Sequence, residues 1–220
     1  MGIEIKKRVI TSIFLFGILI LMYIYSFIMI ISLIIIGMIS WIEFFALIAK
    51  ILKKDNLKER FLRFIYKGVS LAYISILIYY ILIVESSHSD YKIYLFFIIL
   101  ISISTDVGGL VIGKIFKGRK LTKISPNKTI SGSVGSFLFS LSLVPLFNNI
   151  FTSYNFLELS FIVIFISFTS QLGDLFISYL KRKANVKNTS DILPGHGGVL
   201  DRIDGMIFAI PMGVLFFNLY

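Results

Sequence analysis

FIMIISLIIIGMISWIEFFALIA, residues 27–49, is a run of 23 residues carrying one charge, Glu43. As a helix it would be about 35 Å long, enough to cross the roughly 30 Å of hydrocarbon in a bilayer. Working outward, comparable apolar stretches occupy Val9–Tyr25, Val69–Val84, Tyr94–Ile112, Val134–Phe147, Leu159–Leu180 and Ile203–Tyr220, the Val69 and Val134 stretches being completed by weakly polar flanks. No period-2 alternation accompanies them, and an open sheet would strand its backbone groups in lipid, so helix is the spanning form they predict. The expected fold is all-α, a polytopic integral membrane helical bundle of about seven transmembrane helices.

Composition points the same way. The 220 residues are 57% hydrophobic and 15% aromatic against 15% charged, with mean hydropathy +0.90. A soluble domain of 25.0 kDa cannot bury that much apolar surface. The chain has no cysteine. That excludes disulfides, thiolate metal sites and cysteine nucleophiles, and leaves carboxylates, His, Lys, Ser or a bound metal for any chemistry.

The net charge of +10 is concentrated in a few connections. Lys6 to Arg8, Lys50 to Lys67, Lys114 to Lys128 and Lys181 to Arg202 hold 21 of the 22 Lys and Arg residues, and the alternate connections hold only Lys92. By the positive-inside rule the N-terminus is cytoplasmic and the C-terminus outside. Lys6, Lys7 and Arg8 before an apolar run also have the form of a signal peptide, but no small-residue cleavage site follows, and the segment reads as an uncleaved anchor. The basic loops lack the interleaved aromatic residues of a nucleic-acid groove, so no nucleic-acid partner is expected. Residues 53–67 read as an amphipathic linker on anionic headgroups. The chain is expected to be a single membrane domain over 1–220, with N-terminal spans and the basic linker in 1–100 and both polar loops in 101–220.

Two loops on the basic side are unusually polar. In the first, Asp106, Gly108, Gly109, Gly113, Lys114, Ser125, Pro126, Asn127, Lys128, Thr129, Ser131 and Gly132 alternate glycines, hydroxyls and lysines. Such a mixture suits an anion, although it lacks the spacing of a P-loop; a turn-rich basic loop, or glycines packing helices closely, accounts for it equally. The second begins inside a span. Gln171, Asp174, Ser178 and Lys181 fall on one helical face, and Asp174 lies about 10 Å deeper than Lys181, where its charge demands a lysine or a metal ion. Further on, Pro194-Gly195-His196-Gly197-Gly198 precedes Asp201, Arg202 and Asp204. The two acids share a face if the last helix begins there; they invite a hard cation such as Mg²⁺, with helix capping as the plainer account. His196 by itself is a turn histidine.

Ser178, Leu180-Lys181-Arg182, Lys187, Ser190, Leu193-Pro194, His196-Gly197-Gly198-Val199 and Asp201-Arg202-Ile203-Asp204 closely resemble the signature of the phosphatidate cytidylyltransferases. Asp106, Gly109, Gly113, Ser125-Pro126, Lys128-Thr129 and Gly173-Asp174-Leu175 resemble that family's preceding motifs. This chain departs from the pattern at Asn188 and Ser131, where the family has Asp and Glu. The resemblance implies Mg²⁺-dependent transfer of a cytidylyl group from CTP to phosphatidate, giving CDP-diacylglycerol and pyrophosphate, with a second cation left open. It implies metal ligation by Asp174, Asp201 and Asp204, and a catalytic set of Asp174, Lys181, Arg182, His196, Asp201, Arg202 and Asp204. It also implies substrate contacts from Asp106, Ser125, Lys128, Thr129, Ser178, Lys187, Gly197 and Gly198. The implied partners are CTP, phosphatidate and membrane lipids, with a homodimer left open, in a bacterial inner membrane with the site facing the cytoplasm. The competing readings are a cation transporter or channel through Asp106, Asp174 and Asp204, and a noncatalytic lipid-binding relative. Against a transporter, the half of the membrane away from the loops offers few ionisable groups beyond Glu43.

Overall fold

The computed structural model describes residues 3–54, 56–87, 91–122, 125 and 128–219, with side chains outside 3–8 and 87. Its helices are α1 (Ile3–Ile24), α2 (Ser26–Ile51), α3 (Leu57–Ser87), α4 (Tyr91–Phe116), α5 (Ile130–Leu141), α6 (Val144–Phe147), α7 (Phe156–Lys183), α8 (Leu200–Ile203) and α9 (Met206–Phe216). Among the described residues there is no strand, only isolated bridges at Lys120 with Thr129 and Leu193 with Gly197. The all-α expectation holds. Among the described residues, five helical segments are long and apolar enough to cross a membrane: Ser26–Ile51, Leu57–Ser86, Tyr91–Phe116, Ile130–Phe147 and Phe156–Lys183. Val9–Ile24 is a shorter apolar helix.

Two expectations about element boundaries are corrected. Residues 57–67 do not form a separate surface linker; Lys58, Arg60, Arg63 and Lys67 lie in the opening turns of α3, a continuous 31-residue helix. The reason is a strong start signal: Asn56 Oδ1 accepts the Glu59 amide at 2.9 Å, while Glu59 Oε2 accepts the Lys54 amide at 2.7 Å. The stretch Ile203–Tyr220 is not one span. α8 ends at Ile203, Asp204 and Gly205 form a turn, and α9 has only 11 residues, about 16 Å of helix.

The chain divides into two compact units, Met1–Ser87 with Leu180–Ile203, and His88–Tyr179 with Asp204–Tyr220. In the first, α2 packs on α3. Ile78 occupies the space where a Cβ on Gly37 would stand, and the Trp41 indole N–H donates to the Lys67 carbonyl at 3.1 Å beneath the Lys67 ammonium. The loop between α7 and α8 belongs to this unit.

The second unit is built on a seam of small residues. A Cβ on Gly108 would lie 2.5 Å from the Gly135 carbonyl, and one on Gly135 would lie 2.3 Å from Ile112 Cβ. α4 and α5 therefore approach to a distance that only glycine permits. Hydroxyls tie α4 and α5 to α7: Ser102 to Ser170 and Thr105 to Ser167, each at 2.8 Å, and Ser133 to Gln171 Oε1 at 2.5 Å. At the far end Phe97, Phe147, Phe151 and Phe217 form an aromatic cluster, with the Tyr94 ring tilted against Phe151. Large side chains such as Phe14, Phe27, Leu138 and Phe161 remain exposed, which suits hydrocarbon surroundings.

Candidate active site

The first unit holds the signature loop. Two turns of this loop require left-handed backbone, at Gly195 (φ 77°) and Gly197 (φ 85°), which side-chain-bearing residues rarely adopt. The turns fold residues 189–190 back beside 198–201, and two carboxylates bind the result. Asp201 Oδ1 accepts from Lys181 Nζ at 2.6 Å, and its Oδ2 accepts from the Thr189 amide at 2.8 Å and the Gly198 amide at 3.1 Å, with the Thr189 hydroxyl oxygen 3.0 Å away. Burial pushes the Asp201 carboxyl up; the Lys181 hydrogen bond and charge, with the Thr189 and Gly198 amides, outweigh it and hold the group below its ordinary value.

The second carboxylate is Glu43 of α2. Its Oε1 accepts from the Ser190 hydroxyl at 2.6 Å and the Val199 amide at 3.0 Å, and its Oε2 from the Thr189 hydroxyl and the Leu200 amide, both at 2.8 Å. Glu43 is 2% exposed. Its assignment to the half of the membrane away from the loops is thereby overturned. Glu43 stands seven residues before Lys50, about 10 Å along the helix, which brings it to the loop. A lone carboxylate in an apolar run was the signal available, and its partners are 146 to 157 residues away.

The glycines of this loop serve these carboxylates directly. A Cβ on Gly198 would stand 1.9 Å from Thr189 Oγ1 and 2.5 Å from Glu43 Oε2, and one on Gly197 would stand 2.9 Å from Asp201 Oδ2. His196 Nε2 lies 3.2 Å from Ser12 Oγ, while its Nδ1 is buried without a hydrogen-bond partner. Arg202 donates to the His196 carbonyl at 2.8 Å. Arg182 and Lys187 are exposed. A cleft of about 310 Å³ is lined by Lys50 and residues 186–191. Asn188, at one departure from the family pattern, reaches Asp191 Oδ1 at 3.5 Å.

The second unit holds the other motif residues. Lys128, ahead of α5, forms an ion pair with Asp174 Oδ2 on α7, and Ser178 reaches Asp174 Oδ1 at 3.3 Å. The counter-charge that the depth of Asp174 demands is therefore a lysine. Thr129 caps α5 by accepting the Gly132 amide at 3.1 Å, and Ser131, the other departure, donates to the Lys117 carbonyl at 2.7 Å. Ser125 is buried, with its amide on Thr122 Oγ1 at 3.2 Å and its carbonyl accepting from the Lys128 amide at 3.0 Å. Pro126 and Asn127 lie outside the described residues. Asp106 is exposed on α4. Asp204 is buried in the turn before α9, where its Oδ1 accepts the Gly205 amide at 2.9 Å.

This geometry decides two readings of the residues. Of the accounts open for Gly108, Gly109 and Gly113, close helix packing is the one the geometry supports: all three lie inside α4 and face α5. Asp201 and Asp204 do not share a helical face, because the helix breaks between them. Within neither unit, among the described residues, do three His, Asp or Glu side chains gather as a ready metal site.

The profile of the cytidylyltransferase family matches residues 4–220, nearly the whole chain. The chain belongs to the cytidylyltransferase family. It is similar to the phosphatidate cytidylyltransferase of Staphylococcus saprophyticus, 40% identical over 147 residues that cover 66% of this chain and 55% of that one. The enzyme of the same name from Bacillus subtilis is 38% identical over 141 residues, 63% of this chain and 52% of its own. That of Rickettsia bellii is 42% identical over 138 residues, 59% and 58%. The aligned part of this cytidylyltransferase-family chain spans about half the length of these curated relatives. Its apolar helices and these relatives together mark it as an integral membrane protein.

Proposed function

We propose that this chain catalyses transfer of a cytidylyl group from CTP to phosphatidate, releasing pyrophosphate and forming CDP-diacylglycerol. The observation that carries the proposal is the loop at 189–201, whose hydrogen bonds are closed around Asp201 and Lys181 in a chain belonging to the cytidylyltransferase family. In that reaction an oxygen of the lipid phosphate attacks the α-phosphorus of CTP as the bond to the β-phosphate oxygen breaks. The nucleophile is already an anion, so no protein nucleophile is needed; the demand is for fixed cations and hydrogen-bond donors that hold two polyanions together.

Arg182 and Lys187, exposed in the signature segment, and Lys50 at the cleft supply positive charge for the incoming phosphates. Lys181 has a different task here, since its ammonium is held by Asp201 and only 14% of the side chain is exposed. Lys128 moves between Asp174 and a substrate phosphate, and Thr129 orients it through the α5 cap.

The donor set suits Mg²⁺: oxygen ligands only, with no thiolate to favour a softer ion. Asp174 fits that role best, because a quarter of its side chain is exposed and Lys128 is an exchangeable neighbour. Asp204 is the second ligand in this proposal. Asp201, whose two oxygens already take three donors, serves instead to set Lys181 and the loop. Bound at Asp174 and Asp204, Mg²⁺ would supply charge neutralisation on the triphosphate. The site faces the cytoplasm of a bacterial inner membrane, in keeping with the distribution of Lys and Arg.

The test is purified protein in phosphatidate-containing micelles with radiolabelled CTP, with and without Mg²⁺. Label is expected in the lipid phase only with Mg²⁺ and phosphatidate together. Absence of lipid label under all conditions would overturn the proposal.

A further inference from the structure

We infer that Glu43 is a positioning residue for this site: a single carboxylate on α2 that fixes the two limbs of the signature loop against each other. The loop's limbs, 189–190 and 198–201, have no regular structure to hold them apart from α8, which is one turn long. Glu43 bridges them. Each of its oxygens takes one hydroxyl from the first limb and one main-chain amide from the second. Thr189 extends the bridge, since its hydroxyl lies 2.8 Å from Glu43 Oε2 and 3.0 Å from Asp201 Oδ2. Through that hydroxyl the shape set by Glu43 reaches Asp201, and through Asp201 it reaches Lys181. Gly198 is part of the same device, because any side chain there would fill the space that Glu43 and Thr189 occupy.

The chemistry demanded at position 43 is narrow. A hydroxyl can turn to accept or donate, but the amides of Val199 and Leu200 can only donate. One of them meets each oxygen of Glu43. A glutamine of the same shape would have to aim its NH₂ group at one of these amides in either orientation, leaving two donors face to face in a buried place. An aspartate is one methylene shorter but still accepts at both oxygens. If Glu43 acted only by filling space, glutamine would be the better substitute; as a two-sided acceptor, aspartate is.

The turnover arm of the test rests on the proposed reaction, and the exchange arm does not. Full-length wild type, Glu43→Gln, Glu43→Asp and the lipid-facing control Ile42→Ala are purified in detergent. Hydrogen exchange is followed in peptides covering 189–200, with α4–α5 peptides as an internal standard, and kcat and KM for CTP are measured alongside. Glu43→Gln is expected to exchange at least about tenfold faster over 189–200, with α4–α5 unchanged, and to lose about tenfold or more in kcat. Glu43→Asp should lie between it and wild type on both measures, and Ile42→Ala should match wild type. Equal or better protection and turnover in Glu43→Gln than in Glu43→Asp would overturn the inference, as would faster exchange at 189–200 with kcat unchanged. Should Glu43→Gln fail to fold, Glu43→Asp and Ser190→Ala carry the test, wild-type exchange in both being the overturning result. A wild type without CTP turnover would refute the proposed reaction, while the exchange ranking would still decide whether Glu43 orders the loop.

Discussion

Glu43 and Asp201 of the first unit and Asp174 of the second are held in opposite ways. In the first, Glu43 is given four donors and Asp201 three, most of them from a loop that has little else to define it. In the second, Asp174 has one lysine and one long hydroxyl contact and keeps a quarter of its side chain exposed. The second unit does not need its acid for shape, since a glycine seam and a ladder of hydroxyls already join its helices. A carboxylate saturated with main-chain donors is built into the fold, whereas one balanced by a single flexible cation is free to trade that cation for a ligand. The proposed function depends on this contrast, and substitutions in the two units should separate it.

The largest loss of stability is expected from Asp201→Ala. It leaves the ammonium of Lys181, a side chain only 14% exposed, without its partner, and releases the Thr189 and Gly198 amides at once. Removing one member of a buried pair costs about 3–5 kcal/mol, so thermal unfolding in detergent should shift markedly, and CTP turnover should vanish with it. An unfolding midpoint equal to wild type would place Asp201 in the same class as Asp174 and break the comparison. The pH dependence has a definite sign. The Asp201 pKa is lower in the folded protein than the ordinary 3.8, so the unfolded chain binds the proton more readily. Its stabilising contribution is fully present above 3.8 and is lost as pH falls below that value through the depressed pKa. The stability difference between wild type and Asp201→Asn should therefore narrow only below pH 3.8.

An intermediate effect is expected at the seam. Gly135→Ala would set a methyl group 2.3 Å from Ile112 Cβ and 2.8 Å from the Gly108 carbonyl, and backbone cannot yield as a side-chain tip does. Overpacking of this kind costs about 1–3 kcal/mol. Lipid label should fall only in step with the folded fraction; a larger drop in kcat for the folded protein would give these glycines a direct part in binding.

Much of this was legible from residue order, for identifiable reasons. Membrane helices declare themselves by run length, because lipid requires each segment to satisfy its own backbone, and α2, α4 and α7 begin and end within a few residues of the apolar limits. The need of Asp174 for a counter-charge follows from depth alone. Which lysine supplies it does not, because Lys128 arrives from a different helix connection. Glu43 was harder still, since nothing near it in sequence reports on partners more than 140 residues away. The final apolar run misled in the other direction: its hydropathy suggested a span, but Asp204 and Gly205 interrupt the helix. Gly108, Gly109 and Gly113 suit a phosphate loop and a helix seam equally on paper, and only the opposing Gly132 and Gly135 decide for the seam.

The smallest change in stability should accompany a very large loss of activity, at Asp174. Asn at this position keeps the size and the hydrogen bond from Ser178, and removes the charge that Lys128 meets. A pair with both side chains a quarter exposed contributes no more than about 1 kcal/mol, so the unfolding midpoint of Asp174→Asn should stay close to wild type. Turnover should nevertheless fall by about a hundredfold or more, because a neutral amide is a poor ligand for Mg²⁺ and leaves Lys128 with nothing to exchange for an incoming phosphate. A titration of Mg²⁺ against initial rate sharpens the reading. If Asp174 binds the ion, the Mg²⁺ concentration for half-maximal rate rises in Asp174→Asn and is unchanged in Lys128→Ala, whose defect lies in KM for the anionic substrates. Equal Mg²⁺ requirements in Asp174→Asn and wild type would mean that the exposed acid is as structural as the buried ones, and the contrast between the two units would no longer explain where the chemistry resides.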